Sequence, residues 1–137
     1  MIEVFLDTTF AIALVNQSDL FHKKAIQLSE QIEDAGIFIV TTQLVIVRIS
    51  NALSRQQYHT EAVRLLEAID ADPNITTIPL SESIYHAAYR LSCEHADKQW
   101  DMTDCISFVV MRENGIKDAL TTNPVFQQMG YCSLLRD

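Results

Sequence analysis

The sequence predicts an α/β fold: one domain built on a mostly parallel, five-stranded sheet with helices on both faces. Three observations predict it. Short apolar, β-prone runs alternate with longer segments of helical periodicity, the pattern in which each strand returns through a helix to a parallel neighbour. The strand-like runs show little polar alternation, as strands buried on both faces should. The chain of 137 residues is 48% apolar and 20% charged, enough for one sizeable core and too short for two domains, so residues 1–137 read as a single unit.

Each element has its own signal. Ile2–Leu6 (IEVFL) reads as the first strand, followed by a helix over Thr8–Val15. In Leu20–Ala35 the residues Phe21, Ala25, Leu28 and Ile32 recur three or four apart, so they form one buried stripe on a helix that Gly36 stops. Ile37–Thr41 (IFIVT) is the second strand, and helices are predicted over Thr42–Gln56 and Thr60–Ala71. Ile75–Leu80 (ITTIPL) is a weaker third strand, because Pro79 has no N–H to continue a ladder. Glu82–His95 and Thr103–Asn114 carry helical periodicity, the second closed by Gly115. Ala119–Thr122 and Cys132–Leu135 complete the five strands.

Composition narrows the function. Lys+Arg is 10 against 18 Asp+Glu, a net charge of −8, which excludes a broad basic footprint for duplex nucleic acid. It does not exclude a metal-dependent nuclease, in which acids hold cations and the cations meet the phosphates. The three glycines (Gly36, Gly115, Gly130) assemble neither a dinucleotide-binding loop nor a P-loop. Cys93, Cys105 and Cys132 cannot all pair within the chain and none lies in a CxxC, pointing to a reducing, cytoplasmic setting. No apolar run reaches membrane-spanning length, and MIEVFLD reads as a strand rather than a signal peptide. The four histidines are scattered without zinc spacing, and no serine or cysteine sits in a nucleophile-elbow pattern.

The chemistry gathers in three places. Asp7 is the first polar residue after the run Val4-Phe5-Leu6, with hydroxyls at Thr8 and Thr9 beside it. That is the carboxyl end of a strand, where open parallel sheets place their sites, although Asp-Thr-Thr also makes an ordinary helix cap. Asp101 and Asp104 open an apolar helix three residues apart. Capping explains such a pair too, but Asp104 lies within a run that should be buried, and a buried carboxylate is costly unless paired or bound to a cation. Asn123 precedes Pro124, which also suits a helix start.

The segments LDTTFAIAL, TTQLVIVRISNALSR, DKQWDMTDCISFVVM and ALTTNPVFQQMGY, in this order over nearly the whole chain, resemble the PIN domain and more closely the VapC-type toxin ribonucleases. The resemblance implies a PIN-like (Rossmann-like) three-layer α/β/α fold and RNA cleavage with Mg²⁺ or Mn²⁺ held by three or four acids. The family's first acid falls on Asp7, its third on Asp104, and its hydroxyl or amide residue on Thr9. The second acid falls on Arg48 and the fourth on Asn123, so two of the four carboxylates are absent.

The resemblance thus implies Asp7 and Asp104 as metal ligands, and Asp101, one turn before Asp104, is the acid placed to compensate for the missing ones as a further ligand or water-orienting acid. Thr9, Arg48 and Asn123 line the pocket. Arg48 puts a permanent cation where a metal would sit. Two functions follow: a weakened metal-dependent ribonuclease, or a catalytically degenerate PIN domain that binds RNA or an antitoxin. In the second, Arg48 would pair with Asp7 or Asp104 and plug the pocket from within. The implied partners are RNA, a cognate antitoxin protein and a second copy of the chain.

Overall fold

The computed structural model describes residues 2–137, and its backbone follows the alternation read from the sequence. Five strands form one sheet: β1 (Glu3–Leu6), β2 (Phe38–Thr42), β3 (Ile75–Ile78), β4 (Asp118–Leu120) and β5 (Cys132–Ser133). Their order is β3-β2-β1-β4-β5, and all four pairings are parallel. The helices are α1 (Thr8–Val15), α2 (His22–Ala35), α3 (Gln43–Ala52), α4 (Gln56–Ala71), α5 (Glu82–Glu94), α6 (Met102–Glu113) and α7 (Val125–Gln128).

The period-two pleat of β1 divides the core. Val4 and Leu6 join Leu120 on one face, beneath Phe10 of α1 and Ala25 and Ile32 of α2. Phe5 joins Val40 and Ala119 on the other, beneath Val45 and Ile49 of α3, Ala88 and Leu91 of α5, and the α6 residues. Helices therefore cover both faces, and the three layers are those expected. α6 is buried from Asp104 to Met111, a stretch that is apolar apart from Asp104 and Ser107. Its Phe108 packs edge-to-face on Trp100 at 5.2 Å and on Phe126 at 5.0 Å.

Several boundaries differ from the sequence reading. Thr42 ends β2 and caps α3, its Oγ1 accepting from the Val45 N–H at 3.1 Å. The single helix expected over Thr42–Gln56 ends at Ala52, because the chain turns at the buried Leu53 and restarts at Gln56. β3 stops at Ile78, just before Pro79. β5 is only two residues long, and the Asp137 carboxylate accepts from the Ser133 N–H at 2.7 Å. The short α7 follows the helix start that Asn123-Pro124 suits: Pro124 opens it with φ −64°, and Asn123 Oδ1 accepts from the Val125 N–H. Gly36 ends α2 at φ 64°, the left-handed conformation that glycine adopts without strain.

β1 is central, and the chain moves outward from it through β2 and β3 before returning to place β4 on its other side. The carboxyl ends of β1 and β4 therefore flank the point where the sheet order reverses, the crevice where such sheets build sites. Among the described residues no helix is long and apolar enough to cross a membrane.

Candidate active site at the reversal between β1 and β4

Asp7 leaves β1 with its N–H still bonded to the Leu120 carbonyl of β4 at 3.1 Å. It occupies the N-cap position of α1, yet its side chain makes no cap bond. Oδ2 instead accepts from the Thr121 hydroxyl at 2.6 Å and the Thr9 hydroxyl at 3.2 Å. Those two hydroxyls are themselves acceptors, Thr9 from the Thr122 N–H at 2.8 Å and Thr121 from the Asn123 N–H at 3.0 Å. With their lone pairs turned to backbone N–H groups, their single protons are directed at Asp7. The loop after β4 thus orients the carboxylate that follows β1. Burial pushes the Asp7 carboxyl above its ordinary range, opposed first by Thr121, then by the Thr8 N–H and Thr9, and least by Arg48.

Asp104 reaches the same place from the start of α6. Its N–H donates to Asp101 Oδ1 at 2.8 Å, and its own Oδ2 accepts from the Asp101 N–H at 3.4 Å, a reciprocal cap. Capping does not exhaust its role, since Asp104 is also buried and faces a cavity shared with Asp7. Its carboxyl is pushed up to about 7, by burial first and then by the charges of Asp101 and Asp7.

That cavity, about 410 Å³, is lined by Asp7, Thr8, Thr9, Ile12, Arg48, Asn51, Ala52, Asp104 and Asn123. The fold brings together five of the six residues singled out from the sequence. Asp101 stands outside the lining, with both oxygens engaged: Oδ1 caps α6 and Oδ2 pairs with Arg48 Nη1 at 3.2 Å. The expected internal plug is not formed. Arg48 pairs with neither Asp7 nor Asp104, and both carboxyls are raised, whereas an intimate guanidinium would hold them low. The reason is position: Arg48 is half-exposed at the rim, where Asp101 meets it first.

Thr121 and Thr8 were missed as site residues. Their signal was the hydroxyl pairs Thr8-Thr9, one residue past β1, and Thr121-Thr122, directly after β4.

Among the described residues no group of three His, Cys, Asp or Glu converges as a metal site. The donors do suit one hard cation. Asp7 and Asp104 are two buried carboxylates whose charged forms burial disfavours, and a divalent ion between them would offset that cost. A centre of two ions does not fit, because the only carboxylates lining the cavity among the described residues are Asp7 and Asp104, beside the cationic Arg48 and the uncharged Asn123.

Comparison with known proteins agrees with this architecture. The chain is 26% identical over 128 residues to the 23S rRNA-specific endonuclease VapC20 of Mycobacterium tuberculosis (strains CDC 1551 / Oshkosh and ATCC 25618 / H37Rv), covering 93% of this chain and 95% of the relative. The crystal structure of Mycobacterium tuberculosis VapC20, a sarcin-ricin loop cleaving toxin, superposes with a TM-score of 0.80 at 24% identity, over 93% of this chain and 95% of that one. VapBC2 from Rickettsia felis, bound to a DNA fragment from its promoter, gives a TM-score of 0.69 at 13% identity, with 97% and 96% coverage. The family model for the PIN domain matches residues 4–130, nearly the whole of the sheet and every residue of the cavity, and the chain belongs to the PIN domain family.

Proposed function

We propose that this protein is an endoribonuclease of the VapC type, working with a single Mg²⁺ or Mn²⁺ held by Asp7 and Asp104. The observation that carries the reading is the convergence of these two buried carboxylates in one cavity at the reversal of the sheet, where burial raises both above their ordinary range. The likeness to VapC20 favours RNA over other phosphodiesters.

A divalent cation there supplies positive charge against the phosphate as negative charge develops and makes water more acidic. The chain's own residues do the rest. Thr121 and Thr9 fix the Asp7 carboxylate in one orientation, so no reorganisation is needed when the cation arrives. Asp104 must lose its proton first, so cation binding and cleavage rise with pH through about 7. Water attacks phosphorus in line as the bond to the leaving ribose oxygen breaks; the proton that the attacking water loses passes to solvent, Asp7 and Asp104 staying ionised to hold the cation, and the leaving oxygen takes a proton from solvent. Asp101 serves by capping α6 and holding Arg48 at the rim.

Arg48 in an acid position favours a second reading, a degenerate PIN module that binds RNA without cutting it. Incubation of single-stranded and structured RNA with the protein in Mg²⁺ or Mn²⁺ decides between them. Cleavage abolished by EDTA, by Asp7→Asn and by Asp104→Asn supports the enzyme; binding without cleavage under every divalent condition supports the module. The likeness to the VapBC2 complex supports an antitoxin as protein partner; a cytoplasmic homodimer is part of the same proposal. Co-purification with the antitoxin and sedimentation of the isolated chain test the two associations.

A further inference from the structure

The cavity contains two groups for which the cation site has no use. Thr8 lines it and is only 7% exposed, and its Oγ1 is buried with no hydrogen-bond partner, the one such side-chain atom among the described residues. Buried hydroxyls are nearly always satisfied, and one stripped of water and left unpaired destabilises the free protein. Thr8 directly precedes Thr9, whose hydroxyl is fully engaged, so the contrast is within one turn of α1.

Arg48 is the second group. It lines the same cavity from α3, and its one ion pair among the described residues uses a single nitrogen, Nη1, on Asp101. A guanidinium carries five N–H donors in a planar fork suited to phosphate oxygens, and most of these remain uncommitted. The pair with Asp101 is half-exposed on both sides, the kind of ion pair that holds weakly and yields readily to a better acceptor.

We infer that Arg48 and Thr8 form a phosphate-binding subsite beside the acid pair, taking the non-bridging oxygens of an RNA backbone phosphate. The inference rests on the RNA reading above. Charge favours it: two carboxylates, one divalent cation, one phosphodiester and one guanidinium sum to zero. Without Arg48 the buried assembly would carry an excess negative charge. Arg48 thus supplies to the substrate the charge that it denies to a second cation. Asp101 parks the guanidinium when no RNA is bound, and the Thr8 hydroxyl gains the acceptor it lacks.

The test compares the full chain with Arg48→Gln, Arg48→Lys, Thr8→Val and Thr8→Ser. Binding of a short single-stranded RNA is followed by fluorescence anisotropy across a salt series in EDTA. KM and kcat for RNA cleavage are then measured in Mn²⁺. Arg48→Gln should weaken RNA binding about tenfold, as loss of a charge-assisted bond does. It should also reduce the salt slope by about 0.7, the share of one phosphate on a single strand. Arg48→Lys should recover part of both. Thr8→Val should weaken binding about threefold to tenfold, and Thr8→Ser should not. Thr8→Val should also leave the unfolding temperature of the free protein unchanged or higher, which a merely structural threonine would not do.

Undiminished RNA affinity and salt slope in Arg48→Gln, or a lower KM, overturns the subsite and leaves the ribonuclease reading intact. RNA bound with these sensitivities but never cleaved overturns the ribonuclease and leaves the subsite standing. RNA bound by the wild-type protein in neither EDTA nor Mn²⁺ overturns both.

Discussion

The Thr121 hydroxyl donates to Asp7 Oδ2 across 2.6 Å, although 114 residues separate the two in sequence. It joins the ends of the two central strands, and it is the strongest force opposing the burial that raises the Asp7 carboxyl. The carboxylate is therefore held by the sheet itself, through the loop that closes β4.

Thr121→Val tests that bond with almost no change of shape. Thr121 is fully buried, and its hydroxyl also accepts from the Asn123 N–H, so the substitution takes from Asp7 the shorter of its two hydroxyl bonds and leaves the half-buried Asn123 N–H without its acceptor. Stability in urea should fall by about 1–3 kcal/mol. The Asp7 carboxyl should rise further, and RNA cleavage should drop with it. Thr121→Ser, which keeps the hydroxyl, should retain most of both properties.

Asp104 makes the metal-free protein less stable as pH rises. Its folded-state carboxyl is raised to about 7 from an ordinary 3.8, so between these values the folded protein holds more proton than the unfolded chain. Stability contributed there is present below about pH 4 and is lost as pH climbs through about 7. Urea midpoints measured from pH 4 to 8 should decline across this window, and Asp104→Asn should flatten the decline. Mn²⁺ should restore stability at the upper end in the wild-type protein and not in the variant.

Replacing Arg48 by Glu reverses the charge at the rim and supplies a third carboxylate. Two unit charges about 4 Å apart in a dielectric near 20 interact by roughly 4 kcal/mol. Even one third of that, about 1.4 kcal/mol, is tenfold in affinity. Titration calorimetry should therefore show Mn²⁺ bound at least tenfold more tightly by Arg48→Glu, and Asp7→Asn in the same background should cancel the gain. An unaltered Mn²⁺ affinity would show that the rim charge does not reach the cation.

Asp101 divides its two oxygens between two tasks, and two substitutions separate them. Asp101→Ala removes both the cap of α6 and the partner of Arg48, so it should cost about 1 kcal/mol in stability. Asp101→Ser keeps a capping hydroxyl and loses only the ion pair. The two variants should differ in unfolding temperature yet bind RNA alike, because each frees the same guanidinium.

The fold was legible because its signals are local. Val4-Phe5-Leu6 and Ile39-Val40 read as buried strands whatever surrounds them, and Gly36 and Pro79 mark stops through their own backbone chemistry. What the sequence hid depends on distant partners. The turn at Leu53 is set by burial of that side chain in the core, which no neighbouring residue announces. In the site, Asp7 with its neighbour Thr9, and Asp104, could be singled out by type and position, whereas Arg48 and Asn123 followed only from the resemblance to the PIN domain. The partner of Arg48 could not, because both Asp101 and Asp104 head the same helix and only the packing of α3 against it decides which is nearer. Thr121 was concealed by the same logic, since a threonine at a strand end looks like any other until its 114-residue partner is known.

The strand order carries a consequence for how the protein matures. β4 is the fourth strand to be synthesised yet docks directly against the first, so Asp7 waits through most of translation without the hydroxyl that steadies it. Contacts of such long sequence separation form late, after the loops between them have been closed. A nascent chain can fold β1, β2 and β3 and still present only a half-built pocket. Completion of the cavity is thereby tied to completion of the sheet, and any fragment ending before Thr121 should be inert however well its first half is folded.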